Sequence, residues 1–542
     1  MSSARTHVGL AYETTSKSST DGAALTSPTS AVLLVAAADG RIRDLTEFAI
    51  IPEAGDNCAI ARAVTPKGTL VRLSADATPF ALSHTILEGH RFAIVAMPVG
   101  TRLLSWGLTF GEAILPIAPG DYIVNSRVIA TLIARGFTEL PAMHNFDDLI
   151  VPHFVDPDTF VASDQVPLFT DGRTFQGFPR AGGRGVGTRN YIIVMGTTAA
   201  TAGFVKHIET AAKNAGLLSG GEYPAIDGIV AVAHTEGAGF SREAKIFPNN
   251  HALLLDTLVS FTVHPNVGAA LVVDYGSDTE CIWGEDLKMH ASAHGVPLEH
   301  VPHAFTRLTG DMAVDVAAAL VQIKAWLPTA AASERSPQPL SALSIAQQCG
   351  GSDAFSGVSG NPCAGEACKL LIQYGGQAVL AETDELMGAE SYVLEKVKDL
   401  PTAQKFLGIV NNFKERLAWH GQSAESNPSG GNNYRGLYNI GLKSLGAAKK
   451  KHADVRLDGV LAYAERSKDM GRGYYMMDSP GNDLESIAGQ VATGCNLIYF
   501  ITGNGSITNF PFVPTIKIVT TTERFKLLEK DMDFNAGAFF YY

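Results

Sequence analysis

Between residues 31 and 128 the apolar positions come in short β-branched runs broken by turns: AVLLVAAA, CAIARAV after GDN, TLVRL, FAIVAMPV after GH, and DYIVNSRVI after APG. Runs of this length, bounded by Gly, Asn, Asp and Pro, predict strands of a small all-β module. Residues 129–180 lose that pattern and gain prolines, in PAM, VPH, DPD, VPL and FPR. They read as a connector laid over the surface. From 181 to 332 strand-like YIIVMG, IDGIVAVAH and ALVVDYG alternate with helix-like AGFVKHIETAAKNA and HALLLDTLVSFTVH. Such alternation predicts a parallel sheet with helices packed on it. The stretch SERSPQPLSALS, 333–344, reads as a second linker. The α/β rhythm resumes over 345–542 with ACKLLIQYGGQAVLAET, a long helical stretch near 386–420, and strands in GRGYYMMD, NLIYFIT and PTIKIVTT. Residues 1–30 are Ser/Thr-rich and read as a flexible tail. The predicted fold class is multi-domain: a small N-terminal all-β module followed by two α/β domains with largely parallel sheets. No fixed-period repeat is visible, which disfavours a solenoid.

Composition narrows the function classes. The 542 residues are 46% hydrophobic and only 18% charged, so most of the chain can fold around sizeable cores. The net charge of −12 argues against a protein that coats nucleic acid but leaves room for a local basic pocket for an anionic metabolite. Six scattered cysteines lack the spacing of a zinc ribbon and point to a reducing compartment. No apolar run is long enough to span a bilayer, and no secretory layout opens the chain. Arg5 and Lys17 suit a mitochondrial presequence, but Glu13 and Asp21 count against one. The expectation is a cytoplasmic protein with no membrane partner, and a homodimer by default.

Chemistry concentrates in QQCGGSDAFSGVSGNP, 347–362, which holds four glycines, the thiol of Cys349, three hydroxyls, three amides and one carboxylate. Glycines let backbone approach a ligand, and Ser352, Asp353, Ser356 and Asn361 offer more hydrogen-bonding groups than a core turn needs. His234 ends the apolar run IDGIVAVAH, which places it at the carboxyl edge of a parallel strand, where ligands of open α/β sheets gather. His90 shares a GH turn with Arg91 and is a candidate to reach over a neighbouring domain's site. His264, before Pro265, reads as a helix cap. Glu382 ends QAVLAE, Asp478 follows GYYMM, and the turn from Asn427 to Asn432 is rich enough in backbone amides to cradle a carboxylate. Lys517 lies inside the apolar PTIKIV; it is either a site residue or an edge-strand lysine facing water. For Arg189, in GGRGVGTRN, the alternatives are a surface ion pair and a bidentate donor to a substrate carboxylate. The glycines of that segment precede a strand, the reverse of a dinucleotide fingerprint.

GVGTRNY at 185–191, the 347–362 segment, NPSGGN at 427–432 and the closing TGNGS and DMDFNAG together resemble the altronate/galactarate dehydratase family of sugar-acid dehydratases, over most of the chain from about residue 44. The resemblance makes the N-terminal module a SAF domain, in which Gly55, Asp56 and Asn57 form one turn and Gly89 and His90 another. It implies a hydro-lyase that removes water by β-elimination from a small anionic sugar acid to give a 2-keto-3-deoxy acid, assisted by a divalent metal, Fe, Mn or Mg. On that reading His90, His234 and Lys517 are catalytic. Arg189, Ser352, Asp353, Asn361, Asn427 and Asn432 bind substrate, and His90, His234, Cys349 and Asp353 bind metal.

The chain departs from the family at two places. Gly237, Ala238 and Gly239 stand where relatives carry Gly-Cys-Gly, and Gly276, Ser277 and Asp278 where they carry Gly-Cys-Glu. Loss of two soft ligands would favour a harder ion. Two further readings follow: elimination of sulfite from a sulfonated hydroxy acid, and a catalytically silent sugar-acid-binding homologue.

Overall fold

The computed structural model describes residues 40–466 and 470–541. The tail expected over 1–30 and the strand expected at 31–38 lie outside the described residues. Among them, the β module is built from short strands in three small sheets, including Ala49–Ile50, Cys58–Ala61 and Arg91–Ala93 in one and Arg102–Ser105, Leu108–Ala113 and Phe146–Asp148 in another. The DYIVNSRVI run does not continue as strand. Asn125 accepts a hydrogen bond from the Val128 amide and starts a helix, Ser126–Ala134, because an Asn side chain satisfies a free N–H of the first turn.

The connector and the second linker are less loose than their prolines suggest. Strand Thr174–Pro179 pairs antiparallel with Ser336–Pro339, so the two expected linkers form one ribbon at the junction of the α/β domains. Prolines are tolerated there because an edge strand leaves alternate N–H positions unused.

Four parallel strands make the first α/β sheet, in the order Gly228–Val232, Tyr191–Gly196, Val267–Asp274 and His303–Arg307. Seven parallel strands make the second, in the order Leu457–Leu461, Gly473–Met477, Gln377–Leu380, Ser344–Cys349, Leu497–Thr502, Thr515–Val519 and Phe534–Asn535. Val267–Asp274 and Ser344–Cys349 are buried at every residue, as strands covered on both faces must be. The chain enters the larger sheet at Ser344–Cys349, builds outward on one side, then returns to build on the other. The carboxyl end of that strand, Cys349, therefore lies at a topological switch point, where a crevice opens.

One apolar cluster runs from Ile193, Val272 and Phe261 to Ala346, Val379 and Val491, so the two α/β domains share a core. His264 is part of that joint rather than a helix cap: it is buried, and its Nε2 lies 3.0 Å from the Cys495 carbonyl oxygen. The β module is keyed into the C-terminal domain through residues 433–441. Arg91, with no exposed surface, donates to the Gly436 carbonyl at 2.9 Å and lies between the rings of Trp106, Phe110 and Tyr438. The Trp106 indole donates to the Gly357 carbonyl. Residues 433–441 lead directly into helix Ile440–Ala448, every residue of which is buried.

Candidate active site

Cys349, Glu382 and Glu385 converge at the carboxyl edge of the seven-stranded sheet, with one donor atom of each within 4.8 Å of the others and all three buried. Cys349 ends its strand. Glu382 follows the adjacent strand Gln377–Leu380 and takes a left-handed backbone, φ 70° and ψ 70°. A non-glycine residue there is strained, and such strain concentrates where a side chain must be aimed. Glu382 Oε2 accepts from the Cys349 amide at 2.9 Å, and the Glu382 amide donates to Ser479 Oγ at 3.0 Å. The Cys349 thiol lies 2.8 Å from Ser352 Oγ.

Two lysines answer the carboxylates, Lys443 on the buried helix and Lys450 just beyond its end. Lys443 Nζ is 2.7 Å from Glu385 Oε1 and donates to Asn427 Oδ1 at 2.9 Å. Lys450 Nζ is 3.6 Å from Glu382 Oε2. Asn427 in turn donates to Asp384. Burial works against the charge on both lysines, but Glu385 beside Lys443, and Cys349, Glu382 and Glu385 around Lys450, outweigh it and raise both above the ordinary lysine range. Glu385 is held below the usual carboxylate range because Lys443 and Lys450 overcome its burial, whereas burial and Glu385 push Glu382 up. Burial also raises the Cys349 thiol. Glu385 Oε2 is buried and accepts no conventional hydrogen bond. That orphaned oxygen, beside a thiol and a second carboxylate, fits a divalent cation, which would supply its missing partner.

The residues expected from sequence take different places. Cys349, Ser352 and Asn427 touch the cluster, and Asn432 supports it by donating to the Ser352 carbonyl at 2.9 Å. Asp353 does not face it. Its Oδ1 accepts from the amides of Phe355 and Ser356 and from Ser356 Oγ, and its Oδ2 from Thr520, so the carboxylate staples the loop. Asn361 donates to the Gly446 carbonyl and joins two helices.

His90 is fully buried under the β module, with Nε2 3.0 Å from the Tyr434 carbonyl and Nδ1 2.8 Å from the Tyr122 hydroxyl. Both nitrogens are committed, so it is neither a metal ligand nor a free base in this structure. Burial lowers its pKa to about 4. His234 does stand at a carboxyl edge, but in the four-stranded sheet, where Nε2 meets the Gly196 carbonyl and Nδ1 accepts from the Glu236 amide. Arg189 precedes strand Tyr191–Gly196 and so lies at the opposite, amino edge, 3.8 Å from Asp227. Lys517 lies in the body of its strand, 3.9 Å from Asp533. Among the described residues, the one group able to offer three metal donors is Cys349, Glu382 and Glu385.

Glu385, Lys443 and Lys450 were not legible as site residues. The available signal was that Lys443 follows Ile440, Gly441 and Leu442 in a run with few other polar residues before Lys449.

Known family models match the chain in order. The altronate/galactarate dehydratase SAF domain matches residues 47–131, the D-galactarate dehydratase/altronate hydrolase second domain 177–331, and the D-galactarate/altronate dehydratase C-terminal domain 340–541. Altronate dehydratase of Escherichia coli is 29% identical over 484 residues, 89% of each chain. The (2R)-sulfolactate sulfo-lyase subunit beta of Chromohalobacter salexigens is 30% identical over 364 residues, 67% of this chain and 86% of its own. Galactarate dehydratase (L-threo-forming) of Escherichia coli is 27% identical over 457 residues, 83% of this chain and 81% of its own.

Proposed function

This chain belongs to the D-galactarate/altronate dehydratase family, and we propose that it is a hydro-lyase that removes water from a small sugar acid to give a 2-keto-3-deoxy acid, with the reaction centred on Cys349, Glu382, Glu385 and Lys443. The observation that carries this reading is the buried lysine beside two carboxylates and a thiol at the switch point of the larger sheet. A proton α to a carboxylate is barely acidic, because its removal places a second negative charge on the carboxylate oxygens. A cationic, water-poor site is what such an elimination requires.

Cys349, Glu382 and Glu385 would hold the divalent ion, which when bound supplies positive charge for the enediolate. One sulfur with two carboxylates suits Fe(II) or Mn(II) better than Mg(II), which prefers oxygen alone. Lys443 is the acid–base group. Glu385 holds it as the ammonium, which gives its proton to the departing 3-hydroxyl so that this leaves as water; in the same concerted step the freed amine takes the proton from C2, which restores the ammonium, and the enol relaxes to the ketone. Lys450 stays paired with Glu382 and fixes that carboxylate. Asn427, bonded to Lys443, orients its Nζ. The acid–base role expected at His90 and His234 thus passes to the lysine.

The test is turnover of altronate and galactarate by protein loaded with Fe(II), Mn(II) or Mg(II), reading 2-keto-3-deoxy acid. Product with Fe(II) or Mn(II), lost in Lys443→Gln, supports the assignment; full activity in Lys443→Gln refutes it. Sulfite release from sulfolactate, measured in parallel, decides for the sulfo-lyase reading instead.

A further inference from the structure

Glu382 and Glu385 bracket a single 3-10 turn, Thr383–Leu386, and that turn carries a third carboxylate, Asp384. Among the described residues Asp384 makes no direct ion pair, and its side chain accepts one hydrogen bond, from Asn427 Nδ2 to Oδ2 at 3.2 Å. Its Oδ1 is buried with no hydrogen-bond partner. Both oxygens lie against Gly481, where a Cβ would fall 2.6 Å from each. A carboxylate taken out of water for one hydrogen bond costs more than that bond returns, so a role beyond the fold is expected of it. Its one partner is the residue that grips Lys443. Asn427 Oδ1 accepts from Lys443 Nζ at 2.9 Å, and Glu385 Oε1 lies 2.7 Å from the same nitrogen. An ammonium has three N–H groups, so these two acceptors leave one for the substrate's 3-hydroxyl.

We propose that Asp384 is a positioning residue for Lys443 and acts through Asn427. The inference rests on the acid–base role given to Lys443 above. A carboxamide has a donor end and an acceptor end, whereas a carboxylate only accepts and an ammonium only donates. Asp384 therefore keeps Nδ2 toward itself and Oδ1 toward Lys443, and the order of donors and acceptors along Lys443, Asn427 and Asp384 admits one orientation of the amide. The terminal torsion of an Asn side chain is broad. Held by Lys443 alone, the amide would swing and carry Nζ with it. Held at both ends, it fixes Nζ and so aims the third N–H, and it is in place before the proton moves. Gly481 has the role of admitting the carboxylate to this position, since any side chain there would displace it.

The experiment compares wild type, Asp384→Asn, Asn427→Asp, the double variant with both exchanges, and Gly481→Ala, which moves the Asp384 carboxylate without changing its charge. Urea midpoints first show which are folded, and the Mn(II)-loaded proteins are then assayed with altronate and galactarate. Asp384→Asn and Gly481→Ala should each lower kcat about 10- to 100-fold, with KM and Mn(II) affinity within about twofold of wild type. The double variant restores the order of donors and acceptors, since Lys443 then donates to a carboxylate at 427 and the amide at 384 donates to the same group. Its kcat should exceed that of both single variants. Wild-type kcat in Asp384→Asn, a parallel loss of Mn(II) affinity, or a double variant no better than its singles overturns the proposal. If wild type converts neither acid, the dehydratase reading fails separately, and hydrogen exchange at the Asn427 side-chain amide, read by NMR on protein with labelled asparagine, decides. Exchange at least about tenfold faster in Asp384→Ala upholds the grip of Asp384 on Asn427, and unchanged exchange overturns it.

Discussion

Lys443 Nζ lies 2.7 Å from Glu385 Oε1, with the two side chains 9% and 6% exposed. Breaking a pair buried this deeply leaves one charge without a partner, at a cost of about 3–5 kcal/mol. Lys443→Met should therefore lower stability by about that amount, read as the urea midpoint, while Lys443→Met with Glu385→Leu should recover most of it. Both proteins should lose at least about 100-fold in kcat, because the proton-transfer group is gone from each. A single variant as stable as wild type would show that the pair is solvated in solution.

Removal of metal is the second test. Dialysis against a chelator should abolish keto-acid formation, and returning Mn(II) or Fe(II) at 100 times its Kd should stabilise the fold by about 2.7 kcal/mol. Cys349→Ser should weaken Fe(II) binding at least about tenfold, since even groups behind a ligand are worth about 10- to 100-fold. Unchanged affinity in Cys349→Ser, measured by competition with a chromophoric chelator, would remove the thiol from the site.

Acid should loosen the molecule at its domain junctions. Burial lowers His90 to about 4 and His264 to about 3, against about 6.5 in an unfolded chain. Between those values the unfolded state binds more protons, so the stability from the neutral rings is present above pH 6.5 and is lost as pH falls toward 4. For His90 the loss amounts to about 3 kcal/mol. His90 spans the β module and the C-terminal domain, and His264 the two α/β domains. Urea midpoints between pH 7 and 4 should fall, and the fall should be shallower in His264→Gln. Equal slopes would assign the acid lability elsewhere.

Gly503 offers a test of the loop rather than of the chemistry. A Cβ at this position would fall on the Asp353 carboxylate, the group that staples residues 353–356 and bonds Thr520. Gly503→Ala should destabilise by about 1–3 kcal/mol as an overpacked core does. It should also lower kcat more than a surface Gly→Ala such as Gly408→Ala, whose Cβ meets nothing. Wild-type kcat in Gly503→Ala would separate the loop from the reacting centre.

By itself the sequence determined the alternation of apolar runs that makes two parallel sheets, and with it the edge at which His234 and Glu382 would stand, because a strand buried on both faces has a composition that few other elements share. It also marked the glycine-rich loop after Cys349. Its motifs identified the family, but not how three segments far apart in the chain would meet. Only the tertiary structure decided which polar residues share a site. Lys443 and Lys450 carry no local sign of a site until helix Ile440–Ala448 is buried, with Lys443 on it and Lys450 just past its end, and their charges must find Glu385 and Glu382. His90, Asp353, Lys517 and Arg189 look equally chemical in sequence, yet their partners are Tyr122 and Tyr434, Ser356 and Thr520, Asp533, and Asp227. Local pattern reports whether a residue can be buried. Which charge it is buried against depends on contacts between residues tens to hundreds of positions apart, and those are set by how the strands are ordered and the helices packed.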